Sequence, residues 1–137
     1  MIVLDTNVLS EPLRAEPSPA VLQWLAAITD DVALTSISVG EILAGVRALP
    51  DGRRRDSLLS AIEQSFAAFP DRVLAYDEAA ARVYASIRDD RRRSGHALSV
   101  EDGMIAVICR ATGSTLATRN VKDFDDLGLT VINPWLV

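Results

Sequence analysis

Hydrophobic positions along the chain follow two patterns, short continuous apolar runs and longer stretches with helical spacing. The short runs resemble buried strands in length and β-branched content, and they lie at residues 2–4, 32–35, 73–75, 115–118 and 130–132. The helical stretches place apolar residues three and four positions apart, and they cover about 8–14, 17–28, 38–49, 53–66, 77–93 and 100–111. Because strands and helices alternate, we predict an α/β protein with a mainly parallel sheet of four or five strands, covered by helices on both faces.

Side chains that carry oxygen follow several of these predicted strands. Asp5 comes after the first strand, Ser38 and Glu41 come after the second, and Asp102 opens the helix that leads into the fourth. Three more residues follow that fourth strand, namely Arg119, Asn120 and Asp123. Ligands of open parallel sheets bind beyond the carboxyl ends of the strands, so these side chains are predicted to converge at one edge.

A cluster of carboxylates without a Cys or His ligand set suits hard cations, Mg²⁺ or Mn²⁺, and does not suit zinc. Such cations lower the pKa of a bound water, orient a phosphodiester and neutralise the charge that develops during its hydrolysis. The predicted chemistry is therefore metal-assisted cleavage of a phosphodiester.

Helix capping is a structural alternative for each of these acids. Ser38 with Glu41, and Ser99 with Asp102, have the spacing of a capping box, which would place Glu41 in the first turn of its helix. Asp5 has the position of an N-cap for the helix that follows it. We expect Asp102 to be buried, and a buried carboxylate needs more than one backbone amide as partner. Capping and metal ligation are compatible, because a capping side chain would still face the sheet edge.

Composition adds limits to this picture. The chain has 137 residues, a size typical of one domain, and 49% of them are hydrophobic, which is enough for a core. Cys109 is the only cysteine, so no intramolecular disulfide can form and a reducing cytoplasm is expected. The sequence shows neither a signal peptide nor an apolar run long enough to span a membrane.

The net charge of −5 argues against a general polyanion-binding protein, unless the excess acid is concentrated where cations bind. Two arginine runs, Arg53-Arg54-Arg55 and Arg91-Arg92-Arg93, are typical of solvated helix faces, although either could contact phosphate. His96 is expected to be exposed and without a role, and Cys109 is expected to be a small core residue.

Several other enzyme classes lose support because their motifs are missing. The sequence has no phosphate loop, no G-x-G-x-x-G and no G-x-S-x-G. A phosphatase with an aspartate after its first strand would need a second aspartate where Asn7 stands. A receiver domain would need a pair of acids after the first strand and a lysine after the last, and the lone Lys122 does not fit that pattern.

Four ordered segments resemble PIN-domain proteins, and most closely the VapC toxins of the FitB-like branch. They are Val3-Leu4-Asp5-Thr6-Asn7-Val8-Leu9-Ser10-Glu11, Ser38-Val39-Gly40-Glu41-Ile42, Glu101-Asp102-Gly103-Met104-Ile105-Ala106, and Thr118-Arg119-Asn120-Val121-Lys122-Asp123-Phe124 followed by Asn133-Pro134-Trp135. The resemblance covers the whole chain, and it implies a single PIN domain over residues 1–137 with a three-layer sandwich fold.

This resemblance implies a Mg²⁺- or Mn²⁺-dependent endoribonuclease in which Asp5, Glu41 and Asp102 bind the metal. The fourth acidic position of the family is Asn120 here, and a neutral amide lowers the charge of the site unless Asp123 replaces it. We expect both residues to belong to the catalytic set. Five neighbours are expected to contact substrate or to support these acids, namely Thr6, Asn7, Ser38, Thr118 and Arg119.

Partners are implied by the resemblance as well. The protein is expected to be the toxin of a type II toxin–antitoxin pair, to cut tRNA or else mRNA, and to form a homodimer. An antitoxin would insert a basic tail into the acidic site, and operator DNA would be bound through that antitoxin. The departure at Asn120 keeps an alternative open, in which the chain is a catalytically weak module that acts mainly as the antitoxin's partner in repression.

Overall fold

A computed structural model describes residues 1–69 and 71–137, and it contains a five-stranded sheet covered by helices. The strands are β1 (Ile2–Leu4), β2 (Val32–Thr35), β3 (Val73–Leu74), β4 (Thr115–Ala117) and β5 (Val131–Ile132). All neighbouring strands are parallel and their order is β3-β2-β1-β4-β5. The predicted α/β class and the mainly parallel sheet are confirmed.

Helices connect these strands and form the two outer layers. They are α1 (Thr6–Ser10), α2 (Pro19–Ala27), α3 (Ser36–Arg47), α4 (Arg53–Ala67), α5 (Glu78–Ser94) and α6 (Val100–Thr112), with 3₁₀ helices at Glu11–Leu13 and Val121–Phe124. Among the described residues, none of the helices combines the length and the apolar character needed to cross a membrane.

Alternate residues of the central strand pack on opposite faces of the sheet. Val3 belongs to the core cluster that includes α6 residues such as Ile105, whereas Ile2 and Leu4 belong to the cluster that includes Val21 of α2. This alternation is the period of two that a strand imposes on its side chains. Both faces of β1 are therefore covered, which gives the three layers of the sandwich.

The sheet order places a switch point at β1. The chain moves from β1 outward to β2 and β3, and then returns to place β4 on the other side of β1. Loops that leave β1 and β4 at their carboxyl ends must diverge to opposite sides, which opens a crevice between them. Asp5 immediately follows β1, so its position in the chain puts it at this crevice.

The buried helix α6 carries Asp102 to the same end of the sheet. Residues 105–109 of α6 are almost completely buried, as the apolar sequence predicted. A Cβ atom at Gly103 would lie 2.9 Å from Cε2 of Tyr84 in α5. The absence of a side chain at Gly103 therefore lets α5 and α6 pack closely just after Asp102.

Helix boundaries differ from the predicted ones most clearly at α3. This helix begins at Ser36 rather than Ser38, because Thr35 is its N-cap and its hydroxyl accepts from the Ser38 amide at 3.1 Å. Ser38 and Glu41 therefore do not form the predicted capping box, and Glu41 lies in the second turn. The first helix likewise begins at Thr6, because Asp5 caps it.

Candidate active site

Asp5 is the most buried acid of the site, with 4% of its surface exposed. Its Oδ1 accepts the Thr6 amide at 2.8 Å, as the predicted cap, and its Oδ2 accepts the Thr118 hydroxyl at 2.6 Å. Burial raises the pKa of Asp5 above its ordinary value of 3.8, the two hydrogen bonds oppose that rise, and the charge of Asp123 adds to it. Asp5 is thus held rigidly in an environment that disfavours its negative charge.

Thr118 joins the ends of β1 and β4 beneath the site. Its hydroxyl donates to Asp5 and accepts from the Asn120 amide at 3.1 Å and from Nδ2 of Asn7 at 3.4 Å. A hydroxyl has one proton and two lone pairs, so its hydrogen-bonding capacity is fully used. Asn7 in turn accepts the Arg119 amide at 3.3 Å. Thr118 and Asn7 therefore support the predicted site by fixing the geometry around Asp5.

Glu41 reaches the site from α3. Oγ1 of Thr6 lies 3.0 Å from Oε1 of Glu41 and also 3.0 Å from Oγ of Ser38. A hydroxyl has only one proton to donate, so the carboxylate of Glu41 takes it and the Ser38 hydroxyl donates to Thr6. Burial raises the pKa of Glu41, the hydrogen bond from Thr6 opposes this, and the charges of Asp5 and Asp102 raise the pKa further.

Asp102 approaches the site from the first turn of α6. Its amide donates to the hydroxyl of Ser99 at 3.1 Å, which is one half of the predicted capping box. The side chain is only partly buried, so the expectation of a buried carboxylate was wrong, because the helix N-terminus opens towards solvent. Desolvation raises the pKa of Asp102, followed by the charges of Asp5, Asp123 and the exposed Glu101.

Asp123 and Asn120 belong to the segment that follows β4. Asn120 precedes the Val121–Phe124 3₁₀ helix and its carbonyl accepts the amide of Asp123 at 3.0 Å. The carboxylate of Asp123 is exposed, but its charge raises the pKa of both Asp5 and Asp102. Asp123 therefore lies in the same electrostatic field as the other acids, and Asn120 adds no charge to that field.

Arg91 supports this segment, a role that was not predicted from the sequence. Its side chain is buried at 7% exposure, and Nη2 donates to the main-chain carbonyls of Asp123, at 3.4 Å, and of Asp125. The interpretation of residues 91–93 as a solvated helix face was wrong for Arg91, although Arg92 and Arg93 are exposed. An arginine run at a helix end has no local feature that identifies the member turned inward.

Other polar residues lie outside the acidic group. The guanidinium of Arg119 lies 5.2 Å from the centre of the Trp135 ring, beside the site.

Three further residues have no part in the acidic group. His96 is exposed, as expected. Burial raises the pKa of the Cys109 thiol to about 12, so Cys109 stays protonated and fits its expected place in the core. Glu11 is a buried acid, but it accepts the Ser18 amide at 2.9 Å and pairs with Arg14, which gives it a structural role.

The donors at this edge fit a hard divalent cation. Asp5, Glu41 and Asp102 are all oxygen ligands, and the charge of Asp5 raises the pKa values of the other two, an effect that bound positive charge would relieve. In residues 1–69 and 71–137, no three Asp, Glu, His or Cys side chains lie close enough together to hold a metal ion as they stand. Mg²⁺ keeps several waters in its coordination shell, so carboxylates in this open arrangement would hold the ion partly through those waters.

Known proteins of similar sequence cover the chain almost completely. A plasmid stability protein StbB of Pseudomonas syringae is 42% identical over 98% of this chain and 99% of its own length. The VapC ribonuclease Y4jK of Sinorhizobium fredii is 41% identical, covering 98% of each chain. Toxin FitB of Neisseria gonorrhoeae is 40% identical over 98% of this chain and 99% of its own length.

Solved structures show the same architecture. FitAcB from Neisseria gonorrhoeae matches with a TM-score of 0.94 at 40% identity over 100% of both chains. FitAB bound to the IR36 DNA fragment matches with a TM-score of 0.92 at 40% identity, over 98% of this chain and 96% of that one. The sequence profile of the PIN domain matches residues 2–128, which include all the acids described above. By sequence and by fold, the chain belongs to the PIN-domain family.

Proposed function

We propose that this protein is a metal-dependent endoribonuclease, acting in the cytoplasm as the toxin of a toxin–antitoxin pair, with residues 1–137 forming one PIN domain. The observation that carries the proposal is the convergence of Asp5, Glu41, Asp102 and Asp123 on one sheet edge, where each of the first three has a raised pKa. Perturbed carboxylates gathered at a strand-end crevice are typical of a functional site.

The metal ligands in this proposal are Asp5, Glu41 and Asp102, with Asp123 or Asn120 completing the site. A bound Mg²⁺ or Mn²⁺ would supply positive charge that stabilises the phosphodiester while water attacks phosphorus and the bond to the leaving oxygen breaks. The protein holds Asp5 between Thr6 and Thr118, so that little reorganisation is needed on binding. Burial and neighbouring acids raise the pKa values of Glu41 and Asp102 in the metal-free protein, and a cation bound there would favour their charged forms.

RNA as the substrate is supported by the names of the relatives. One relative at 41% identity is named a VapC ribonuclease, and another at 40% is named a toxin. We extend both properties to this chain, with tRNA as the first substrate to test and mRNA as the second. The name of a solved structure at 40% identity describes FitAB bound to a DNA fragment. We therefore propose an antitoxin partner, operator DNA bound through it, and a homodimer of this chain.

A second candidate is a catalytically weak PIN module that serves mainly in repression with its antitoxin. The observation in its favour is Asn120, a neutral and exposed residue where the family resemblance implies an acid. If Asp123 does not compensate for this missing charge, metal affinity and cleavage would both be low.

Cleavage of end-labelled total bacterial RNA by the purified protein distinguishes the two candidates. Reactions would contain Mg²⁺, Mn²⁺ or EDTA, with Asp5→Asn as the inactive control. We expect discrete bands that disappear in EDTA and in the variant, while circular dichroism shows an unchanged fold. Cleavage by Asp5→Asn at the parental rate would remove Asp5 from the site. No cleavage in any condition would favour the repression partner.

A further inference from the structure

Three hydroxyl groups form a line that leads from the end of β2 to the carboxylate of Glu41. Oγ1 of Thr35 lies 3.4 Å from Oγ of Ser38. Oγ of Ser38 lies 3.0 Å from Oγ1 of Thr6, which in turn lies 3.0 Å from Oε1 of Glu41. Thr35 and Ser38 are completely buried, and Glu41 lies at the protein surface. These three hydroxyls, here named the hydroxyl line, therefore connect the core of the sheet with an acid of the site.

Every proton of the hydroxyl line points towards Glu41. An ionised carboxylate can only accept a hydrogen bond, so Thr6 gives its single hydroxyl proton to Glu41. Ser38 must then donate to Thr6, and Thr35 must donate to Ser38, because each hydroxyl has only one proton. Hydrogen bonds arranged head to tail polarise and strengthen one another. The line therefore favours a carboxylate held at its outer end.

The places of Thr6 and Ser38 in their helices explain why their protons are available for this line. Serine and threonine inside a helix commonly bond the carbonyl four positions earlier, as Ser10, Ser65 and Thr112 do in this protein. Thr6 and Ser38 lie in the first turns of α1 and α3, and the residues four positions earlier belong to β1 and β2. Their hydroxyls have no carbonyl of their own helix to bond, and they bond each other instead.

Thr6 contacts two of the proposed metal ligands at once. Its amide donates to Oδ1 of Asp5 at 2.8 Å, and its hydroxyl donates to Oε1 of Glu41 at 3.0 Å. Asp5 is also fixed by burial and by Thr118, whereas Thr6 gives the carboxylate of Glu41 its one hydrogen bond within residues 1–69 and 71–137. A glutamate side chain has many rotamers and loses that freedom when it is held in place. The position of Glu41 relative to Asp5 thus depends on Thr6.

We propose that Ser38 is a positioning residue of the cation site and that it acts on Glu41 through Thr6. This proposal rests on the proposed function, because it assumes that Asp5 and Glu41 bind the metal together. The proton of Ser38 occupies a lone pair of the Thr6 hydroxyl, which leaves that hydroxyl oriented with its own proton towards Glu41. Residues that hydrogen-bond to metal ligands commonly contribute about 10- to 100-fold to metal affinity, and Ser38 orients such a residue.

A double-mutant cycle in Mn²⁺ affinity tests whether Ser38 acts through Thr6. Isothermal titration calorimetry would measure Mn²⁺ binding to the parental protein, Ser38→Ala, Thr6→Val and the double variant. Valine is close to threonine in shape and lacks the hydroxyl. Ser114→Ala is the matched control, because Ser114 is also buried and its hydroxyl lies 2.8 Å from that of Thr112. Ser114 precedes β4, so it lies at the end of the sheet opposite to the site.

Thr6→Val is expected to lose about tenfold in Mn²⁺ affinity, because Glu41 loses its hydrogen-bond partner. Ser38→Ala should lose about threefold, half of that effect on a logarithmic scale, because Thr6 can still reach Glu41 but is no longer oriented. The double variant should match Thr6→Val, since a residue that acts through the Thr6 hydroxyl has no effect once that hydroxyl is gone. Thr6→Ser, which keeps the hydroxyl, and Ser114→Ala should both keep the parental affinity.

Two results of the cycle would overturn the proposal. One is parental Mn²⁺ affinity in Ser38→Ala, and the other is a loss in Ser38→Ala that adds in full to that of Thr6→Val, as a general effect on the fold would. Circular dichroism and thermal unfolding in EDTA establish that each variant is folded. If Ser38→Ala does not fold, a loss in Thr6→Val that Thr6→Ser restores supports the line, and parental affinity in Thr6→Val overturns it.

Cleavage of cellular RNA at increasing Mn²⁺ separates this proposal from the proposed function. The Mn²⁺ concentration for half-maximal cleavage by Ser38→Ala should rise by the same factor as its dissociation constant. If the parental protein cleaves RNA but the losses in the cycle add in full, the nuclease stands and the positioning role fails. If the parental protein binds Mn²⁺ with a non-additive cycle but cleaves no RNA, the positioning role stands and the nuclease fails. If the parental protein neither binds Mn²⁺ nor cleaves RNA, both fail.

Discussion

Individual acids of the site are placed where they reduce the stability of the metal-free protein. Burial contributes most to the raised pKa values of Asp5, Glu41 and Asp102, and repulsion from neighbouring acids adds to it. A raised pKa means that the ionised carboxylate has a higher free energy in the folded protein than in the unfolded chain, which lowers the stability at neutral pH. Such strain is typical of residues selected for binding, and replacing them often stabilises a protein while removing its activity.

Asp102→Asn is expected to make the metal-free protein more stable and to abolish cleavage. The amide keeps the shape of the side chain and removes the repulsion from Asp5, Asp123 and Glu101. Because Asp102 is partly exposed, the gain is limited to about 1 kcal/mol or less, which corresponds to a Tm increase of up to about 3 °C. Thermal unfolding in EDTA at neutral pH measures this gain, and a Tm below the parental value would contradict it.

Asp123→Ala is expected to weaken Mn²⁺ binding more than Asn120→Ala does, because a carboxylate attracts the cation more strongly than an amide. We expect a loss of roughly tenfold in affinity for Asp123→Ala, at the lower end of what supporting residues contribute to metal sites. Isothermal titration calorimetry gives both dissociation constants. Asp125→Ala is the matched control, because its carboxylate is exposed on the same segment. The reverse order would place Asn120, rather than Asp123, next to the metal.

At the scale of single elements, the strands and helices were predictable and their supporting contacts were not. The apolar spacing identified α5 and α6 nearly to the residue, because both have regular apolar faces and clear caps. Helix α3 begins two residues before its predicted start, because Thr35 is both the last residue of β2 and the N-cap of α3. A hydroxyl with both roles looks like an ordinary strand residue in the sequence.

Two side chains hold the Val121–Phe124 3₁₀ helix in place, and only one of them could be predicted from the sequence. Phe124 is buried at 2% exposure and is apolar, as a core anchor should be. Arg91 reaches the same segment from α5, more than thirty positions earlier in the chain. Only the three-dimensional packing of α5 against this segment makes Arg91 the inward member of its run, so sequence alone predicted Asp123 but not its support.

Arg91→Ala is expected to loosen the segment that carries Asp123. The substitution leaves two main-chain carbonyls without their charged donor, and hydrogen bonds to charged groups contribute about 1.5–3 kcal/mol. Urea denaturation should therefore show a loss of about 2 kcal/mol, and calorimetry should show weaker Mn²⁺ binding. Arg82→Ala, with an exposed pair to Glu78, is the control and should change neither quantity.

Arg91→Lys distinguishes positioning from simple destabilisation. A lysine keeps the positive charge but has a single ammonium instead of the planar fork of the guanidinium. We expect partial recovery of stability with Mn²⁺ affinity still reduced, because one point donor cannot fix both carbonyls. Full recovery of both quantities would show that only the charge of Arg91 matters.

For the whole molecule, the parallel sheet explains why distant acids could be predicted to meet. Strands that run in the same direction bring all their carboxyl ends to one edge, so Asp5, Glu41 and Asp123 were predictable from their positions after strands. The sheet order, with β1 at the centre, puts Asp5 in the middle of that group. The contact of Arg91 with the segment after β4 was not predictable, because it depends on how the end of α5 lies beside that segment.

Mn²⁺ or Mg²⁺ is expected to stabilise the whole protein, with an effect that grows as pH rises. Below the ordinary carboxyl pKa values of 3.8 and 4.5 the acids are protonated and attract no cation. Between those values and the raised ones, the folded protein binds more protons than the unfolded chain, so metal-free stability falls as pH rises. Cations bind the deprotonated site, and at about 100 times Kd they contribute about 2.7 kcal/mol.

Thermal unfolding with and without Mn²⁺ across this pH range measures that linkage. The increase in Tm should be largest at neutral pH and should vanish as pH falls towards 4.5, the ordinary pKa of a glutamate. Asp5→Asn should lose most of the increase, whereas Glu63→Gln, an exposed acid on α4, should keep it. An equal Tm increase in both variants would mean that Mn²⁺ binds elsewhere, since only a site that includes Asp5 links the metal to its protonation.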